Sequence, residues 1–87
     1  MLFFYAIIFY MEINKEQIHG FWVRFEQDLR EGITYLSEDL QTEEAKTIFD
    51  AARLTGRAEF EDDEDRDWTL TYIRDDDIYV LTLREQE

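Results

Sequence analysis

Trp68-Thr69-Leu70-Thr71-Tyr72-Ile73-Arg74-Asp75-Asp76-Asp77-Ile78-Tyr79-Val80-Leu81-Thr82-Leu83 is the stretch on which the reading of this chain turns. Trp68, Leu70 and Tyr72 alternate with Thr69 and Thr71, and Tyr79, Leu81 and Leu83 alternate with Ile78, Val80 and Thr82. Period-two alternation in β-branched and aromatic residues marks half-buried strands. A turn centred on Asp75-Asp76 sets Tyr72 opposite Tyr79, Leu70 opposite Leu81 and Trp68 opposite Leu83. All six then share one face, and that face needs a cover.

Immediately upstream, Ala58 and Phe60 alternate with Arg57, Glu59 and Glu61, which reads as a short third strand. Asp62 to Asp67 is then a turn of almost unbroken negative charge. The cover is expected from two helices. Thr42 reads as an N-cap, with Glu43 and Glu44 in the first turn and Ala45, Ile48, Phe49 and Ala52 on the buried face. Arg53 lies near the end of that helix and Gly56 is its natural C′ residue. Earlier, Ile18, Phe21, Trp22, Phe25, Leu29, Ile33, Leu36 and Leu40 recur at spacings of three and four. With Asn14 as N-cap and Gln17 completing a capping-box pattern, the spacing predicts a long helix from about Lys15 to Ser37, in one piece or two, with a kink or break at Gly32. The expected architecture is α+β: two N-terminal helices packed on a three-stranded antiparallel sheet.

Met1 to Tyr10 is wholly apolar or aromatic. It is about half the ~20 residues that a bilayer-spanning helix needs, and it lacks the charged start and cleavage site of a signal peptide. Three readings stand: an extension upstream of a start at Met11, a buried or edge strand (a fourth strand over residues 2–10), or a membrane-surface or partner-docking anchor. Residues 11–87 form a single domain on any of them, near the size where one core just suffices.

The balance of 22 acidic to 9 basic residues gives a formal net charge of -13. Such a chain repels nucleic acid and anionic membranes, which are bound by neutralising phosphate. A basic protein partner is favoured instead. Fourteen aromatics argue for a packed core despite the charge. The absence of cysteine excludes disulfides and thiolate metal sites, and accords with a cytoplasmic setting.

Nucleophilic catalysis has little to build on, with Ser37 the only serine, His19 the only histidine and some five helical turns expected between them. The run Glu59, Glu61, Asp62, Asp63, Glu64, Asp65 and Asp67 lacks the glycine and ligand spacing of a calcium loop. No phosphate loop or dinucleotide fingerprint is present, so no enzyme, cofactor or metal site is expected. The candidate partner-binding residues are that run together with Asp75, Asp76 and Asp77. Carboxylates on a rigid hairpin imitate the phosphate spacing of a nucleic-acid backbone or pair with an Arg/Lys-rich cleft. In composition and size, though in no motif, the chain resembles acidic nuclease inhibitors and DNA-mimic proteins. That resemblance implies an inhibitor or immunity-type protein that blocks the basic surface of a nuclease or other nucleic-acid-binding protein. The alternative expectation is an assembly protein that homodimerises or docks through its N-terminal segment and the outer sheet face bearing Ile73, Ile78 and Val80.

Overall fold

The computed structural model describes residues 13–84. It contains β1 (Ile13–Ile18), β2 (Phe21–Glu26), a helical stretch, a second helix, and then β3 (Arg57–Glu61), β4 (Asp67–Ile73) and β5 (Ile78–Leu83). The first helical stretch changes pitch along its length: a 3-10 turn Gln27–Leu29, α1 (Arg30–Thr34) and a π-helical turn Tyr35–Asp39. The second helix is α2 (Thr42–Thr55). The five strands form one sheet in the order β1-β2-β5-β4-β3, with β2 and β5 parallel and every other pair antiparallel.

The fold is therefore α+β, but two N-terminal helices on a three-stranded sheet is not its architecture. Strands come first. Residues 13–26, expected as helix from about Lys15 onward, form a β-hairpin turning at His19-Gly20, both at positive φ (52° and 90°). Two consecutive positive φ values match the right-handed twist of flanking strands in a two-residue hairpin, and glycine adopts them without strain. The apolar residues fit a strand as well as a helix: Phe21, Val23 and Phe25 turn inward while Trp22, Arg24 and Glu26 turn outward. Val23, which the helical stripe passes over, is fully buried, and Trp22, which that stripe includes, is 45% exposed. The candidate fourth strand over residues 2–10 lies outside the described residues.

The β4–β5 hairpin has the expected register: Tyr72 pairs with Tyr79, Leu70 with Leu81 and Trp68 with Leu83. Val23, Phe25, Trp68, Leu70, Tyr79 and Leu81 point from the sheet into one core, met by Ile33, Leu36, Ala45, Phe49 and Ala52 from the helices. Phe21 stacks on Phe49 at 4.5 Å between ring centroids, and Tyr79 meets both edge-on. Full burial of side chains this large is worth roughly 1.5–3 kcal/mol each before ordering costs.

Helix α2 begins at Thr42 with Gln41 as its N-cap, one residue before the expected cap, and the Gln41 N–H donates to Glu44 Oε1 at 3.1 Å. It ends, as its sequence indicates, on Gly56 at φ 103°. Gly32, read as a helix-weakening position, is where α1 meets the sheet. A Cβ there would sit 2.8 Å from Leu81 Cδ2 and from Trp68 Cζ3. No described helix is long and apolar enough to cross a membrane.

Candidate binding surface

The acidic run is built around Asp62, whose side chain is 2% exposed. Its Oδ1 accepts the backbone N–H groups of Glu64 (2.9 Å) and Arg66 (3.0 Å), and its Oδ2 accepts Arg66 Nε (2.7 Å) and the indole N–H of Trp68 (2.9 Å). The main chain closes the same loop, Asp62 N–H donating to Arg66 O and Asp65 N–H to Asp62 O. Asp65, at φ 64°, supplies the left-handed step that aspartate tolerates better than most residues. Burial alone pushes the Asp62 carboxyl up. The hydrogen bonds from Trp68, from the Arg66 backbone and guanidinium, and from the Glu64 backbone outweigh it and hold the group down at about 2. Asp62 is thus an ionised internal strut, and its carboxylate points into the protein rather than toward a partner.

The other candidates divide between two ends of the sheet. Asp63, Glu64 and Asp65 project from the turn, while Glu59 and Glu61 on β3 and Asp67 on β4 face outward. Arg84 neutralises part of this group, reaching Glu59 at 3.1 Å and Asp67 at 3.3 Å. Asp75, Asp76 and Asp77 occupy the β4–β5 turn, at the far end of a strand about 20 Å long. Asp77 there accepts the Tyr72 hydroxyl at 2.8 Å, which raises the Tyr72 pKa. The ten candidates do not make a single face.

The fold instead adds acids that sequence proximity did not indicate. Tyr35 stacks on Phe60 at 5.9 Å. Burial first, then the charges of Asp63, Glu44, Asp62 and Asp39, push its hydroxyl up. Glu31 and Asp39 line a shallow concavity with Arg30, Thr34 and Arg66. The helical layer thus delivers Glu31, Asp39 and Glu44 to the end of the molecule that carries the Asp62 turn. No periodicity in the sequence signals this, because the three residues come from separate elements that only the tertiary fold brings to that end.

His19 and Ser37, far apart on the expected helix, come to the same region. His19 Nε2 lies 3.1 Å from the Leu36 carbonyl, and the Ser37 hydroxyl donates to Ile33 O at 2.8 Å. Both polar groups serve the backbone of the α1 region. Among the described residues no three His, Asp or Glu side chains gather closely enough to hold a metal ion. No family model, no curated protein and no solved structure matches the chain.

Proposed function

We propose that this chain is a small non-enzymatic binding module whose acidic end occupies a basic surface on a protein partner. The concrete candidate is a nuclease or other nucleic-acid-binding protein, blocked by carboxylates that stand where phosphates would. The observation that supports this reading most is the Asp62 strut. Mimicry needs charges held in place, and four hydrogen bonds to one buried carboxylate fix the backbone from which Asp63, Glu64 and Asp65 project. Glu61, Glu31, Asp39 and Glu44 extend the field around the turn. Neighbouring cations would weaken such a field, but Arg66, the cation within the turn, is already engaged by Asp62 and Glu64.

The test is capture of partners on the immobilised chain, washed at low and then high salt, beside a variant carrying Asp63→Lys, Glu64→Lys and Asp65→Lys. Asp62 is left intact so that the turn persists. The expected result is a basic, nucleic-acid-handling protein released by a few hundred millimolar salt, on the order set by screening, and not retained by the variant. A partner held equally by both chains at every salt concentration would refute the electrostatic reading.

A further inference from the structure

The strand order ends on β3, which has no strand on its far side among the described residues. The phase of the β3–β4 ladder fixes which groups lie on that side. Tyr72 N–H donates to Gly56 O at 2.9 Å and Asp62 N–H to Arg66 O at 3.0 Å, one bond beyond each end of the paired residues. Hydrogen-bonded and non-hydrogen-bonded pairs alternate along an antiparallel ladder, so Ala58 and Phe60 turn their N–H and C=O groups toward β4. Those of Arg57, Glu59 and Glu61 point away from the sheet. The Arg57 carbonyl accepts the Thr55 hydroxyl at 2.8 Å. The other five groups, three N–H and two carbonyls, meet no hydrogen-bond partner among the described residues.

Side chains along this edge sort by face. Arg57, Glu59 and Glu61 are exposed, while Ala58 and Phe60 are half-buried against the core. Arg84 engages Glu59, but neither Glu61 nor Arg57 forms an ion pair among the described residues. Negative charge rises toward the C-terminal end of β3, where Glu61 leads directly into the turn that carries Asp63, Glu64 and Asp65. Charges on an edge strand discourage pairing with another copy of the same chain, but an acidic edge admits a strand of opposite charge. The other edge offers less, since β1 carries one carboxylate, Glu16, and Arg30 already engages it at 2.9 Å.

We infer, resting on the acidic-end reading above, that the β3 edge takes an extended basic segment of the protein partner as an added strand. The segment runs antiparallel to β3, the more stable pairing, so its N-terminal residues lie beside the acidic turn. A lysine or arginine stands opposite Glu61, and further cations before it meet the carboxylates of the turn. Opposite Glu59, whose charge Arg84 already meets, a small polar residue fits, as it does opposite Arg57. The two intervening side chains lie beside Phe60 and Ala58 on the inner face, where β-branched residues pack well. Main-chain hydrogen bonds to the edge then supply affinity and the alternate side chains supply selectivity.

The probe is the capped peptide acetyl-Lys-Lys-Lys-Val-Thr-Ile-Thr-amide, its third lysine opposite Glu61. Its control is the same peptide N-methylated at that lysine and at the first threonine. N-methylation keeps every charge and side chain but removes the two N–H groups that donate to the Glu61 and Glu59 carbonyls. Titration into the whole nitrogen-15-labelled chain at low salt, followed by NMR, reads affinity and amide exchange together. The unmodified peptide is expected to bind with Kd on the order of 1 mM and to slow exchange at the Arg57, Glu59 and Glu61 amides severalfold. The control should bind about tenfold more weakly, and Glu61→Lys, its folding checked by circular dichroism, should weaken the unmodified peptide about fivefold. Two peptides that bind alike, or a bound peptide that leaves those three amides exchanging as before, would overturn the added strand. Charge alone would then hold the peptide, and the acidic-end reading would stand. Undiminished binding to Glu61→Lys, or none up to about 5 mM peptide, would overturn it as well. The acidic-end reading fails by a different result, capture of a partner indifferent to salt and to substitution of Asp63, Glu64 and Asp65.

Discussion

Replacing Asp62 tests whether the acidic turn is held from within. Asp62→Ala removes the acceptor of four hydrogen bonds and leaves the indole N–H of Trp68 facing a cavity beside a ring that is 1% exposed. The Glu64 and Arg66 groups can turn to water, but the indole cannot. A buried donor left unpaired costs about 1–3 kcal/mol, and a lost hydrogen bond to a charged acceptor about 1.5–3 kcal/mol. These overlap, so a net loss of about 3 kcal/mol is expected, a large share of the roughly 5–15 kcal/mol that holds a domain together. Urea unfolding followed by tryptophan fluorescence measures it, and the melting temperature should fall by about 12–24 °C. The pH dependence supplies an independent readout. Because the folded carboxyl is held at about 2, below the ordinary aspartate value of about 3.9, its contribution is complete above the unfolded pKa. It is lost as pH falls through the folded one, between about pH 5 and pH 2. The full depression corresponds to roughly 2–3 kcal/mol, of which about 2 kcal/mol is lost by pH 2. Wild type should lose that much more than Asp62→Asn over this window, the subtraction removing the titration of the other carboxylates. A loss below about 1 kcal/mol for Asp62→Ala, or parallel pH profiles, would refute the strut.

Two further substitutions probe the packing. Gly32→Ala should destabilise by about 1–2 kcal/mol in denaturant titrations, because overpacking against Trp68 and Leu81 outweighs the gain of roughly 1 kcal/mol in helix propensity. Tyr79→Phe should stabilise by up to about 1 kcal/mol in the same assay. The Tyr79 hydroxyl is buried with no hydrogen-bond partner among the described residues, and removing it relieves its desolvation.

The second half of the fold was legible because its signals agree. In β4 and β5 the alternation, the β-branched content and the Asp75–Asp77 turn all require a hairpin, and the register follows from the turn. The first half was ambiguous in a specific way. Ile18, Phe21, Trp22 and Phe25 satisfy helical spacing, and Phe21, Val23 and Phe25 satisfy strand spacing over the same residues. Tertiary demand decides between them: the inner edge of β5 needs a partner strand, and β2 supplies it. His19-Gly20 was the local signal for the turn, a glycine preceded by a residue able to enter the left-handed region. At the binding surface, sequence marked the charge density but not its geometry. Asp62 is spelled like its neighbours, and only the approach of Trp68 and Arg66 separates the strut from the charges it supports.

The parallel join between β2 and β5 has a consequence for the order of assembly. β3, β4 and β5 follow one another through short turns, so their pairing closes small loops. Val23 and Tyr79 lie toward opposite ends of the described chain, and bringing them together closes a loop that holds most of it. Loop-closure cost therefore predicts that the first hairpin forms early as a local unit and is placed late. On the same ground it is expected to join after the last strand has found its meander, with that seam the slow step of assembly.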